Sequence, residues 1–416
     1  MSAPANPSDR VASPHGAGRI ITGRRGLLLV GILLTAANLR AAIGTVSPVL
    51  SDIQSELHLS APVASALISV PILAFAVFST VAPLISSRIG MERTIALALL
   101  VLAAGIVLRS LPWMPGLWIG TATLGLAIAT LNVVLPSLIK RDFPHDVGRL
   151  TGLYTSVGGV AAAIAAGIAV PIAGISENGW RLACGLWAGL ALIALAVFLP
   201  QLRSRKRPSA EEKADAVAEF EALPGGLRSP WGAAVAWQVT ALTGIQAVIF
   251  YTVLTWWPAI DRLNGFSAAT AGLHQVVLQS FTIVGSLATG VILHRNPRDQ
   301  RLPASVFAAI SFVAIFAQLF LPQLSIIWLA MIGFGCGSSL VLALSMFGFR
   351  TRHHSQAAAL SGMAQSMGYI LAAIGPVLAG VLHEATGGWT ATLIVLLGFA
   401  AAQGVTGFLA GRERLI

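Results

Sequence analysis

The sequence predicts an all-α membrane protein, with twelve transmembrane helices arranged as two pseudo-symmetric six-helix bundles. Three observations carry that expectation. Of 416 residues, 56% are hydrophobic and only 10% charged, where a soluble chain has about a quarter charged. The apolar residues fall in runs of about twenty, the length that crosses a hydrocarbon core of about 30 Å as a helix. The two halves also echo each other. Gly125, Lys140, Leu150, Thr151 and Gly152 match Gly335, Arg350, Leu360, Ser361 and Gly362 at an offset of 210. Ser60, Ala61, Ala64 and Arg88 match Ser267, Ala268, Ala271 and Arg295 at an offset of 207, and Gly179-Trp180 echoes Gly388-Trp389.

In chain order the spans lie near 26–50, 62–86, 94–112, 116–139, 150–174, 180–199, 231–257, 268–293, 303–321, 324–348, 358–382 and 388–410. The expected organisation is a disordered cytoplasmic tail over 1–25, an N-terminal six-helix bundle over 26–199, a cytoplasmic linker over 200–230, a C-terminal bundle over 231–410 and a cytoplasmic tail over 411–416. The first twenty residues are rich in Ala, Pro, Ser and Gly and lack the apolar core of a signal peptide, so the first span itself directs insertion. The linker, with the run RSRKRPSAEEKADAVAEFEALPGG, carries charges of both signs and reads as a solvated helix plus coil.

Twelve crossings put both termini on one side. That side holds 22 of the 26 basic residues, the other only Arg109, Arg181 and Arg262, and Arg40 lies within a helix. The split predicts cytoplasmic termini in a multi-pass protein of the cytoplasmic membrane. It also explains the net charge of +10 without nucleic acid, because the basic residues form short clusters between apolar runs rather than one patch. Cys184 and Cys336 sit inside apolar runs and read as small buried hydrophobes, so no disulfide framework or metal cluster is expected. The run Gly333-Phe-Gly335-Cys-Gly337 follows no strand and is rejected as a nucleotide loop; it reads as small residues at a close helix contact.

Parallel six-helix repeats related by an axis along the membrane normal are the architecture of the major facilitator superfamily. Three stretches narrow the likeness. The first helix reads ANLRAAIGTVSPVLSDIQSEL, the fourth ends NVVLPSLIKRDFP, and the turn between the second and third reads SSRIGMERT. On these the chain resembles the cyanate/nitroimidazole transporter family, from about residue 30 to 405. Two departures stand out. Ser87 occupies a loop position that is acidic in the superfamily, and the fifth helix has Gly158, Gly159 and Gly167 without the Gly-Pro pair of many antiporters. The resemblance implies a secondary transporter with a site between the halves near the midplane, moving a small anion or compact polar solute by alternating access.

Arg40 carries the main expectation. It lies about fourteen residues into the first helix, where a charge is expected to face the bundle interior or a water-filled cavity. No Asp or Glu falls in the middle of a predicted span, so the guanidinium fork is available to an anion or nitro group. Asn38 is about 200° round the helix from Arg40, so one of the two lines the cavity and the other pins a neighbour. Asn132, Tyr154, Gln246, Tyr251, Gln275, Gln365 and Tyr369 complete the candidate substrate-binding set, with helix packing as the competing role for Asn132, Tyr154, Gln365 and Tyr369. Of Trp256 and Trp257, one is expected to anchor at the interface and the other to form a gate or lid. His274 is the best available titratable group for proton coupling, its ordinary range lying near neutrality, with a hydrogen-bonded structural histidine as the competing role. Asp52, Glu56 and His58 read as a solvated loop.

The expected partners are a small-molecule solute, protons and membrane lipids, with no nucleic acid and a monomeric chain. No catalytic residue, metal or cofactor is expected. No Walker-type loop occurs, so ATP is not the driver. The alternatives are an exporter of a larger neutral drug or metabolite and, in another class, a membrane-embedded enzyme or a channel.

Overall fold

The computed structural model describes residues 15–59, 61–176, 178–204, 229–295 and 298–416. The remainder of the expected tail (1–14) and most of the linker (205–228) lie outside the described residues. The N-terminal half comprises α1 (His15–Gly44), α2 in two pieces (Ala61–Phe78 and Ala82–Ile89), α3 (Met91–Ser110), α4 (Met114–Asp142), α5 (Val147–Ala173) and α6 in two pieces (Gly179–Gly185 and Trp187–Ser204). The C-terminal half comprises α7 (Ala234–Leu263), α8 (Ala268–Arg295), α9 (Arg301–Phe320), α10 (Ser325–Phe349), α11 (His354–Thr386) and α12 (Thr390–Ala410). Among the described residues eleven helices are long and apolar enough to cross a membrane. The twelfth expected span is α2.

Helices dominate because a bilayer offers no partner for an unpaired backbone group. Leu73, Val77, Leu84, Leu302, Val377 and Val381 are all more than 60% exposed except Val381 at 57%, a surface that only hydrocarbon covers without penalty. Inside, small residues set the helix spacing. Gly333 and Gly337 of α10 press on the backbone of Leu278 and Thr282 of α8, leaving no room for a Cβ. That accounts for the glycine run as packing.

Four boundaries depart from the sequence expectation. The first helix already begins at His15, inside the stretch expected to be a disordered tail, because the chain continues the helix on the near side of the first span. The first span ends at Gly44, and the chain continues through a 3-10 turn (Ser47–Val49) into a short helix (Leu50–Leu57). This corrects the solvated-loop reading of Asp52 and Glu56. Glu56 accepts hydrogen bonds from Trp180 and, at 2.7 Å, from Arg181, fastening the outer end of the first span to α6. The second span breaks at 79–81 because Pro83 has no N–H to offer the Ser79 carbonyl one turn earlier. The seventh runs six residues past its expected end, through Pro258 to Leu263.

The halves meet at the end that carries the chain termini and the basic clusters, called here the basic face. The contact is built from repeat-related residues. A Cβ on Gly152 of α5 would lie 2.7 Å from the Ser286 carbonyl oxygen and 2.8 Å from the Gly290 Cα, both of α8. A Cβ on Gly362 of α11 would strike the Ser79 carbonyl oxygen of α2 and come within 2.9 Å of Pro83. Gly152 and Gly362 are related at an offset of 210, Ser79 and Ser286 at 207, so the duplication supplies both sides of one pseudo-symmetric closure.

At the same face each half ties its own loops. In the first, Arg141 at the end of α4 pairs with Glu92 and Asp142, each at 2.6 Å. In the second, Arg350 stands at the repeat position of Lys140 and donates to the carbonyls of Ala410 (2.7 Å) and Gly411 (2.9 Å) and to the Gln300 side chain. Its own carbonyl accepts from Ile416 N–H at 2.9 Å.

Candidate functional site

Arg40 sits fifteen residues beyond Arg25, about 22 Å along α1 and so within the hydrocarbon depth. Its side chain is nonetheless exposed. Direction resolves the conflict. The stem leaves α1 towards α5, where a Cβ on Gly158 would lie 3.3 Å from the Arg40 Cγ. The head lies between the halves, close enough for its charge to act on both Tyr154 of α5 and Tyr369 of α11. Tyr251 of α7 acts on Tyr369 in turn. These are all three tyrosines of the chain: Tyr154 and Tyr369 stand within reach of the guanidinium's charge, and Tyr251 joins them through Tyr369.

The surroundings hold these groups in place. Tyr369 packs against Phe75 of α2 with ring centroids 5.2 Å apart, and Tyr251 against Phe250 at 5.4 Å. One turn before Tyr369, Gln365 donates to the Asn132 carbonyl of α4 (3.1 Å) and to Ser361 (2.8 Å), tying the halves together between the cluster and the basic face. Among the described residues Arg40 makes no salt bridge with a carboxylate. The cluster can therefore offer a planar cation, phenolic donors and aromatic faces to a bound solute.

Other expected site residues lie elsewhere. Asn38 is buried and donates to the Leu34 carbonyl (2.8 Å) and, across to α6, to the Leu190 carbonyl (3.3 Å); it pins a helix, on the side of α1 away from Arg40. The tryptophan pair divides differently from expectation. Trp257 is fully buried and donates to Ser325 at 2.8 Å, so it anchors inside the bundle and is neither an interface anchor nor a lid. Trp256 donates to the Pro376 carbonyl of α11 at 2.7 Å and packs on Trp389. Gln246 is buried in α7. Gln275 of α8 has both amide atoms buried without a hydrogen-bond partner among the described residues.

His274 requires the largest correction. It was expected to stand without a buried carboxylate, yet its Nδ1 lies 2.8 Å from Asp261 Oδ2. Asp261 is fully buried, and Ser325 of α10 donates to its other oxygen. Asp261 lies beyond the sequence-predicted end of the seventh span at 257, inside a helix that runs on to Leu263. The available signal was spacing, since Asp261 follows Trp257 by four residues and shares its helical face. Arg109, expected near the outer surface, is also buried, with Nε and Nη2 unpartnered among the described residues. Both cysteines are buried, and no group of three or more metal-ligating side chains occurs among the described residues.

Comparison with known proteins agrees with this architecture. Residues 28–373 match the Major Facilitator Superfamily. The chain is 39% identical over 392 residues to the 2-nitroimidazole transporter of Escherichia coli (strain K12), covering 94% of this chain and 97% of that protein. It is 24% identical over 369 residues to the cyanate transport protein CynX of the same organism, covering 87% and 91%. Among solved structures, the proton:xylose symporter XylE superposes with a TM-score of 0.71 at 14% identity, covering 92% of this chain and 94% of XylE. A fold of two six-helix halves and full-length relatives that are transporters place this chain in the major facilitator superfamily, within its cyanate/nitroimidazole transporter family.

Proposed function

We propose that the protein carries a compact, flat, polar solute with negative or strongly polarised oxygens, nitroimidazole-like or cyanate-like, and binds it at Arg40 among Tyr154, Tyr251 and Tyr369. The observation that carries the reading is the exposed guanidinium inside the bilayer depth, within reach of Tyr154 in its own half and Tyr369 in the other, with Tyr251 acting on Tyr369. A guanidinium presents paired donors to two oxygens of a nitro group or to a small anion. Tyrosine rings add a surface on which a flat heterocycle stacks. The relatives named for 2-nitroimidazole and cyanate move solutes of these two kinds.

Transport is by alternating access. In the conformation described the halves touch at the basic face, so the site communicates with the opposite side. Rocking the halves about the Arg40 level opens the basic face instead. The solute crosses unmodified, and one chain is a complete carrier. The membrane is the cytoplasmic membrane, with the basic face inside.

Two experiments test this. Purified protein in vesicles should show saturable counterflow of labelled 2-nitroimidazole, of cyanate, or of both; ohmic conductance, or flux of neither from folded protein, would refute the solute assignment. Separately, a reporter active only in the cytoplasm should work when fused after Leu202 or at Ile416. Activity of a periplasm-only reporter at either point would reverse the orientation.

A further inference from the structure

The outer end of the C-terminal half, opposite the basic face, holds a polar chain that transport of a solute at Arg40 does not use. Trp257 Nε1 donates to Ser325 Oγ (2.8 Å), Ser325 donates to Asp261 Oδ1, and Asp261 Oδ2 meets His274 Nδ1 at 2.8 Å. Phe266 covers the imidazole edge-on, with centroids 5.1 Å apart. Asp261, Ser325 and Trp257 are fully buried, and His274 is 4% exposed. The chain of bonds crosses three helices, α7, α8 and α10.

We propose that the Asp261–His274 pair is the carrier's proton-binding site, taking up one proton on His274 from the side opposite the basic face. The charge balance favours it. With a neutral imidazole, the buried pair carries a net negative charge inside a membrane protein. With His274 protonated, the pair is neutral overall and its two members attract. A net buried charge is costly where a paired one is much less so, so a conformation that buries the pair binds a proton and one that wets it releases the proton. The imidazole is the member with residual exposure, and it is the side chain suited to exchange a proton near neutral pH.

Helix packing alone gives no reason for the pair. Across α2 and α8 the two halves align at an offset of 207, and His274 then corresponds to Leu67, which is buried in α2 at 3% exposure. The same position in the same fold is thus filled by leucine in one half and by a carboxylate-bonded histidine in the other. Other charged or titratable groups at this end of the C-terminal half are few among the described residues. Arg262 is exposed beside Asp261 on α7. On α11, His383 stacks on Trp389 with centroids 4.0 Å apart and Glu384 is exposed. From α10 Ser325 hydrogen-bonds the pair. The link to the solute is α7 itself, which carries Tyr251 of the Arg40 cluster ten residues before Asp261, about 15 Å along the helix.

The test follows the proton directly and then its coupling. Protein labelled with 15N-histidine, in detergent, is titrated from pH 9 to pH 5, and the His274 imidazole signal is assigned by its loss in His274→Gln. The expected result is one protonation step that is displaced in Asp261→Asn, because the carboxylate bonded to the imidazole has lost its charge. Ser325→Ala, which keeps both titratable groups, should retain the step. An imidazole that holds one state throughout, or that ignores Asp261→Asn, overturns the proposal. In vesicles, with 2-nitroimidazole and cyanate as probes, the ratio of accumulation driven by a pH gradient to exchange without one should fall at least about tenfold in Asp261→Asn and His274→Gln. An unchanged ratio in folded, monodisperse variants also overturns it. If wild-type protein carries neither probe, that failure belongs to the solute assignment, and the titration alone decides the proton site.

Discussion

Arg40→Lys is expected to lose most solute affinity although the positive charge is kept. The ammonium is a single point of charge and cannot present the planar pair of donors that the guanidinium offers to two oxygens. A charge-assisted hydrogen bond is worth about 1.5–3 kcal/mol, so binding of 2-nitroimidazole or cyanate should weaken roughly ten- to a hundredfold. Arg40→Ala should do no better. The structure also says that neither change need unfold the protein, because the Arg40 head is exposed and its stem lies beside Gly158 of α5. Melting temperature in detergent should therefore move little while affinity falls. Wild-type affinity in well-folded Arg40→Ala would remove Arg40 from the site.

Gly152→Val and Gly362→Val should abolish transport by a different route. At each glycine even a Cβ meets the backbone of the other half, and the obstructing atoms are carbonyl oxygens and helix backbone that cannot swing aside. Overpacking of this kind costs about 1–3 kcal/mol, and a valine adds two methyl groups beyond the Cβ. Because the strain arises only when the halves close at the basic face, the chain can relieve it by leaving that face open, and a bias of about 1.4 kcal/mol already shifts the balance tenfold. The expected result is folded protein with more than about tenfold less flux and with Leu293→Cys, introduced beside Gly148 at the closure, labelled readily by an impermeant maleimide from the basic face. Wild-type flux, or labelling no faster than in the parent, would show that the closure tolerates the added bulk.

The spans were legible in the sequence because hydrophobicity is obligatory wherever lipid is the solvent, and the duplication was legible because the residues at the closure recur at fixed offsets. Arg40 stood out for the same reason, a charge in an apolar run. What its surroundings would be did not show, since Tyr154, Tyr251 and Tyr369 come from three helices whose approach is decided by tertiary packing. The direction of Asn38 follows from simple helical geometry once Arg40 is placed. Asp261 lies just beyond Pro258, past the sequence-predicted end of the seventh span. Proline usually ends a helix, but within a bundle the neighbouring helices and side chains compensate for the one lost bond, and α7 passes through it. The break in α2 had the opposite outcome from the same residue type: Pro83 freed the Ser79 carbonyl, which then became part of the closure.

That closure also bears on bioenergetics. Where the halves meet at Gly152, Gly290 and Gly362, the facing surfaces are Cα atoms and carbonyl oxygens at van der Waals distance, too close for a file of water molecules. Protons move along such files, so the plug insulates as well as blocks. With the basic face inside, as proposed above, the carrier can stand open to the outside, waiting for solute, without passing protons through the closure.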